Sequence, residues 1–472
     1  MSNILSLIYF IPELLLCGLA ILFLILALPK AFNKKGLASY IALAGIIAFL
    51  VFVLDRWHVT GPPLFWGMVT IDKSVNFFEM IFGVSALLII IFSQKSKELI
   101  GDEYEYYALI TGLVLGMSLL AQASNILMIY LSLEFVSLMS FMLVGYVNGS
   151  KRSAEASLKY VLYGAIASGI FLYGASIFYG LTGSLDVTNF KIMNASGLWN
   201  LSSIFMLAGF LYKIAAVPMH SWCPDAYEGA PTPVTAFLSV APKAAGFAVL
   251  MRVADAIGVS FSWPIIIAVI SAVTMTFGNL VAIPQQNVKR LLAYSSIAHA
   301  GYLLMGVACF SRKGNEAIYF YFVAYLVMNL GAFLVVQIIA DQFGSETLET
   351  YKGIGRRGTY GIVLGIAMTI FLLSLTGIPP FIGFVGKFYI FSAVLDAKLY
   401  WLAFIGIANS VVSLYYYMRI VKTMFFDEAT DTSEVVVGSK RLAVVMVSLA
   451  TLTISLGLTW QWISKLVSQI SS

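Results

Sequence analysis

Four ionisable side chains lie inside long apolar stretches: Glu134 in LSLEFVSLMS, Lys213 in GFLYKIAAVP, Lys243 in LSVAPKAAGF and Lys387 in PPFIGFVGKFY. A charge near the centre of a bilayer costs about 2.5–3.5 kcal/mol on insertion scales, so such residues usually mark a function. Burial disfavours the charged form of an amine, and a nearby carboxylate favours it. Buried lysines with one carboxylate can therefore take up and release protons near neutral pH. A protonated lysine has no lone pair and cannot ligate a metal. The competing reading is a static Glu–Lys pair that fixes helix packing. That reading leaves Lys243 and Lys387 without an acidic partner in the sequence.

Two histidines extend the set. His299 lies in VKRLLAYSSIAHAGYLL, ten residues past Lys289 and so about 15 Å along a helix. With Ser295, Ser296, Tyr294 and Tyr302 around it, His299 is placed to relay protons between Lys243 and Lys387. His220 follows Pro218 and is a candidate link to cytoplasmic water. Each histidine also has a simpler role open to it, satisfying one core hydrogen bond.

The elements that position these residues are membrane helices. The chain has 472 residues, 60% of them hydrophobic and only 11% charged. Soluble domains carry about 25% charge. Hydropathy gives about 14 spans, at 6–29, 37–54, 74–93, 105–121, 125–147, 157–181, 200–219 continuing to about 230, 232–253, 263–284, 291–310, 316–340, 360–396 in two pieces, 400–424 and 441–464. The first segment contains Glu13 and is too long for a signal-peptide core. Loops after odd-numbered spans hold 16 Lys and Arg residues and the opposite loops hold 8. The positive-inside rule then places the odd loops in the cytoplasm and both termini outside.

Two spans must break. Residues 360–396 would make one helix of about 55 Å, and Gly377-Ile378-Pro379-Pro380 interrupts it. Residues 200–230 are interrupted by Pro218 and Pro224. Pro218 and Pro379 are 161 residues apart. Broken helices at matching places in two halves point to inverted repeats. The expected architecture is all-α and polytopic, a single membrane domain over 1–472. It holds two inverted five-helix repeats, about 105–255 and about 263–424, with broken seventh and twelfth helices. Segments 1–95 and 440–472 flank them.

Other motifs carry little. Cys17, Cys223 and Cys309 are far apart and form no CxxC, which argues against a disulfide framework or an iron–sulfur site. His58, His220 and His299 show no haem-like pairing. GIGRRG at 353–358 matches a nucleotide fingerprint in form only, since it lies between membrane helices without a βαβ unit. The net charge of +5 follows from loop bias and does not suggest nucleic acid.

Long stretches resemble a known family. YKIAAVPMHSWCPDAYEGAPTPVTAFLSVAPKAAGF (212–247), NVKRLLAYSSIAHAGYLL (287–304), SLTGIPPFIGFVGKFYIF (374–391) and SLYYYMRIVKTMFF (413–426) are similar to the antiporter-like membrane subunits of respiratory complex I, the N-type most of all. The similarity covers essentially the whole chain. M-type members have glutamate at the Lys387 position, and L-type members are longer. The D-type subunits of multi-subunit sodium/proton antiporters share this core and remain an alternative.

The resemblance implies a 14-helix fold with inverted five-helix repeats, and its key residues carry over as Glu134, Lys213, Lys243 and Lys387; His299 enters the relay from its own position. The resemblance also implies a subunit of a proton-translocating NADH-quinone oxidoreductase in a bacterial-type inner membrane. NADH, FMN, iron–sulfur clusters and quinone would sit elsewhere in the complex, with none bound by this chain. Neighbouring membrane-arm subunits and lipid are the expected partners. A secondary cation/proton antiporter and a non-pumping scaffold are the other readings.

Overall fold

A computed structural model describes residues 3–28, 36–59, 61, 63–99, 103–147, 149–187, 197–257, 263–429, 435–436 and 438–470. The described residues are almost wholly helical and form no extended strand, only isolated β-bridges. In chain order the helices are α1 (Asn3–Tyr9), α2 (Ile11–Ala27), α3 (Leu37–Asp55), α4 (Lys73–Ser93), α5 (Glu103–Gln122), α6 (Ile126–Val144), α7 (Lys151–Thr182), α8 (Gly197–Ile214) and α9 (Trp222–Gly229). They continue as α10 (Thr232–Ile257), α11 (Trp263–Ala282), α12 (Val288–Ala308), α13 (Arg312–Phe343), α14 (Gly358–Thr376), α15 (Ile382–Asp396), α16 (Tyr400–Phe425), α17 (Lys440–Leu458) and α18 (Gln461–Ile470).

Twelve of the described helices are long and apolar enough to cross a membrane. The two remaining expected spans are α2, a shorter apolar helix of 17 residues, and α8, which carries Lys213 and stops at the first break. The chain is a polytopic all-α membrane protein.

Polar caps set several helix starts. Asp72, Asn125, Ser150, Asn287 and Ser311 each accept a backbone N–H in the first turn of α4, α6, α7, α12 and α13. Two helices exceed their expected lengths. α7 and α13 each run 32 residues, about 48 Å, so Lys151, Arg152 and Arg312 belong to helix ends and not to loops. Pro242 sits inside a continuous α10. Its missing N–H is the local cost.

Elements 161–162 residues apart correspond. The caps Asn125 and Asn287, Ser150 and Ser311, and the left-handed terminators Gly183 and Gly344 pair in this way. So do the bridges Asn125–Asp186 and Asn287–Thr347. α7 and α13 have equal lengths, as do α10 and α16 at 26 residues.

Both breaks occur where the sequence places them. α8 ends at Ile214, and Ala215 takes a left-handed φ of 57°. α14 ends at Thr376, capped by Gly377 at φ 88°. Each break contains a cis X–Pro bond, Val217–Pro218 and Pro379–Pro380.

The membrane segments of α10 and α12 are entirely buried within the protein and that of α13 nearly so. The other helices pack around this centre. α3, α7, α16 and α17 turn large apolar residues outward, among them Val51, Ile166, Val411 and Val444. An apolar exterior matches lipid, and it frees the interior to hold polar groups.

Candidate functional site: a buried lysine–histidine row

α12 is the spine of the site. Ser295, Ser296, His299 and Tyr302 recur at helical spacing on it, and all four are buried. Lys243 of α10 donates to the Ser296 carbonyl at 3.1 Å and also to the Ser296 hydroxyl. Its ammonium lies 5.6 Å from the Tyr227 ring centroid. One turn further along α12, His299 Nδ1 meets the Tyr321 hydroxyl at 2.6 Å and Nε2 meets the Tyr417 hydroxyl at 3.2 Å. The Tyr417 hydroxyl also lies 2.5 Å from Ser295 Oγ.

A turn beyond His299, Tyr302 donates to the Gly406 carbonyl at 3.2 Å and lies 3.1 Å from Ser410 Oγ. Lys387 of α15 reaches the same place. It donates to the Thr376 carbonyl at 2.8 Å and to Ser410 Oγ at 3.1 Å. The Thr376 carbonyl is a helix-terminal acceptor freed by the break, and such ends favour cations. Lys243, His299 and Lys387 therefore lie along one buried polar row, a few per cent exposed at most.

Lys213 stands at the first break, in the last turn of α8, and donates to Ser137 Oγ of α6 at 3.2 Å. Its stem lies against Gly246, where an added Cβ would come within 3.3 Å of Lys213 Cγ. Gly246 is one turn from Lys243 on α10, so α10 connects the two lysines.

Glu134 makes no direct ion pair with Lys213. Its carboxylate accepts from the Ser168 hydroxyl of α7. Glu134 is half-buried, on the stripe of α6 that exposes Leu127, Leu131, Leu138 and Met142. It faces outward from the chain, which hydropathy could not tell.

His220 stands apart from the row. It is half-buried, packs edge-on against Phe277 of α11 with centroids 4.4 Å apart, and leaves Nδ1 buried without a partner. No described hydrogen bond joins it to Lys213 or Lys243.

Several members of the site were not singled out in the sequence. Tyr321, Tyr417 and Ser410 complete the row, and Ser137 and Ser168 hold Lys213 and Glu134. Tyr417 belongs to the YYYMR run, whose three adjacent tyrosines in a membrane helix were the available signal. Arg56 counts as a loop charge in the sequence. It is buried with Glu13 and Glu79.

Outside the membrane segments, Glu346 ties the halves of the chain together. It pairs with Lys289 at 2.5 Å and Arg152 at 3.4 Å and accepts from Asn287 at 3.0 Å. Burial pushes its carboxyl up, but Lys289, Asn287 and Arg152 outweigh burial and hold it below the usual range.

Broken membrane helices around a buried row of lysines and one histidine define an antiporter-like proton-handling membrane protein. Residues 123–413 match the family model described as "NADH:quinone oxidoreductase/Mrp antiporter, TM", and the chain belongs to that family. It is 44% identical to NADH-quinone oxidoreductase subunit N 2 of Sorangium cellulosum, over 98% of this chain and 96% of that one. It is 41% identical to NADH-quinone oxidoreductase subunit N of Chlorobium chlorochromatii, over 95% of this chain and 92% of that one. Among solved structures it is similar to a chain of respiratory complex I from Thermus thermophilus. That match has TM-score 0.83 and 30% identity and covers 97% of this chain and 99% of that one. A chain of the Mrp complex from Dietzia sp. shares the fold, with TM-score 0.80 at 22% identity, over 100% of this chain and 97% of that one.

Proposed function

We infer that this chain is a proton-translocating membrane-arm subunit of an NADH-quinone oxidoreductase. The observation that carries this reading is the buried row from Lys243 through Ser296, His299 and Tyr302 to Lys387. Full-length relatives named as the N subunit favour it over a sodium/proton antiporter. The Mrp chain resembles this one at the level of fold alone.

A proton enters from the cytoplasmic side, with His220 as a candidate link to water, and loads Lys213 or Lys243. It passes His299 and reaches Lys387, from which it leaves to the outer side. Unprotonated lysine accepts it and the ammonium gives it up, while serine and tyrosine hydroxyls bridge the gaps by donating and accepting together. Glu134 sets the charge balance of Lys213. Because it faces outward, Glu134 also couples to a neighbouring antiporter-like subunit, and the apolar rim beside it suits such a subunit or lipid.

The matching caps, bridges and helix lengths support a division into inverted repeats at about 105–255 and 263–424. An odd number of crossings per repeat turns the second copy over. Basic loop bias supports both termini outside, and the bacterial sources of the N-subunit relatives favour a bacterial-type inner membrane. Electrons, with NADH, FMN, iron–sulfur clusters and quinone, are assigned to other subunits of the complex. This chain's residues hold and move protons only.

The test is Lys213→Ala in the assembled complex, followed by proton pumping and quinone reduction in the same membranes. Pumping should fall by about tenfold or more, the effect of a barrier raised by about 1.4 kcal/mol. Normal assembly with unchanged pumping would sink the relay and leave the scaffold reading.

A further inference from the structure

A second set of ionisable groups is enclosed where the starts of α2 and α4 meet the ends of α3 and α5. Arg56, at the end of α3, spans it. Its guanidinium contacts both oxygens of Glu13, Nη2 to Oε1 at 3.1 Å and Nη1 to Oε2 at 3.3 Å, and also pairs directly with Glu79. It donates further to Asn76 Oδ1 at 3.1 Å and the Tyr9 carbonyl at 2.7 Å. Gln122 of α5 closes the ring, with Nε2 donating to Glu13 Oε1 at 2.5 Å and Glu79 Oε1 at 2.7 Å. Glu13, Glu79 and Gln122 are completely buried.

The charge count decides what this cluster is. One guanidinium faces two carboxyls, so full ionisation leaves one uncompensated negative charge. A buried unpaired charge costs several kcal/mol. One proton shared by two adjacent carboxyls removes it, and such a pair titrates as a unit. An independent observation points to the same ligand. Gln122 Oε1 is buried and has no partner. An amide can turn Nε2 toward two carboxylates or Oε1 toward the O–H of a carboxylic acid. Turned over, Gln122 presents this free acceptor to the carboxylic O–H. A metal cation does not suit this ring, because the guanidinium occupies its centre.

Hydrogen bonds tie the cluster to groups nearer the surface. The Gln122 carbonyl accepts from Thr70 N at 2.9 Å, and the Thr70 hydroxyl accepts from Arg252 of α10. Arg252 pairs at 2.9 Å with the partly exposed Asp72. Asp55 and His58, beside Arg56 in the chain, are exposed.

We propose that Glu13 and Glu79 form a second proton-holding site, which carries one exchangeable proton between two carboxyls clamped by Arg56, with Gln122 adjusting to the loaded and empty states. No described hydrogen bond joins this site to the lysine–histidine row, and it stands whether or not that row pumps.

The test is infrared spectroscopy of the purified whole complex in H2O and D2O across pH, following the C=O stretch of protonated carboxyls. The wild type should show a carboxylic-acid band at neutral pH that fades as pH rises. Glu13→Gln and Glu79→Gln should each lose the same band, because one remaining carboxyl is matched one-to-one by Arg56 and ionises. A band that survives either substitution, or that ignores pH, overturns the proposal. If those variants do not assemble, Arg56→Lys keeps the charge but loosens the clamp, and it should move the titration midpoint upward. An unmoved midpoint overturns the proposal equally.

Discussion

The ammonium of Lys387 lies 4.4 Å from the centroid of the Tyr302 ring, and both side chains reach the hydroxyl of Ser410. Lys387 comes from the second half of a broken helix and Tyr302 from the central helix. Their meeting joins the break to the row that runs past His299. A cation over an aromatic face is attracted by about 0.5–2 kcal/mol, more as water is excluded. The ring steadies the ammonium without taking its proton.

Tyr302→Phe keeps the ring and removes the hydroxyl. The lost hydrogen bonds are worth about 0.5–1.5 kcal/mol each. Pumping should slow by a few-fold while quinone reduction continues, measured by fluorescence quenching in inverted vesicles. Lys387→Glu keeps a protonatable group but sets it against the Thr376 carbonyl, an acceptor. Partial pumping is expected if the station needs only a titratable group, and complete loss if it needs positive charge.

His299→Gln preserves hydrogen bonding to Tyr321 and Tyr417 but cannot take up a proton on one nitrogen and release it from the other. Pumping should drop by about tenfold or more. Adding Tyr417→Phe should cost little further, because the two residues form one link and such pairs are non-additive. Additive losses in the double variant would show two independent paths.

Gly377→Ala tests the geometry of the second break. Gly377 has φ 88°, and an added Cβ would lie 2.8 Å from Lys387 Cδ. The left-handed backbone alone costs a non-glycine residue about 1–2 kcal/mol. The variant should lower the thermal midpoint of the detergent-solubilised complex and disturb the Lys387 station. Gly246→Ala, which meets Ile214 at 2.7 Å and the stem of Lys213, should do the same at the first break.

Glu346 gives a pH dependence with a definite sign. Its carboxyl is held below the usual range in the folded protein. Its contribution is therefore fully present above the unfolded value of about 4.3 and is lost as pH falls through the lower folded value. Glu346→Gln leaves Lys289 buried and unpaired, a loss of about 3–5 kcal/mol for a broken buried pair. The gap in thermal midpoint between wild type and variant should be widest near neutral pH and close in acid. A gap that stays constant across pH would mean that Glu346 acts through packing.

Much of this site was legible in the sequence because its residues violate a strong rule. Lys213, Lys243 and Lys387 stand out as charges inside long apolar stretches, and His299 as a titratable group ten residues past Lys289. The breaks were legible because proline removes a donor wherever it falls. Pro242 shows where that logic stops: α10 runs on through it, buried along its membrane segment. Glu134 shows another limit. Its depth follows from its position along α6, but whether it faces Lys213 or the chain's exterior depends on rotation about the helix axis, which packing sets.

By itself the sequence determined the all-helical membrane fold, the two broken helices and the identity of the buried lysines. Local hydropathy, proline chemistry and the cost of charge in lipid act on each segment without reference to the others. Only the tertiary structure decided partners: Lys243 with Ser296, Lys387 with Tyr302 and Ser410, His299 with Tyr321 and Tyr417. It also decided that Arg56, at a helix end where charge is ordinarily cheap, is sealed between Glu13 and Glu79. A hydropathy window averages along the chain, while desolvation depends on what packs around it. Residues 13, 56, 79 and 122 become one site only when four helices close over them.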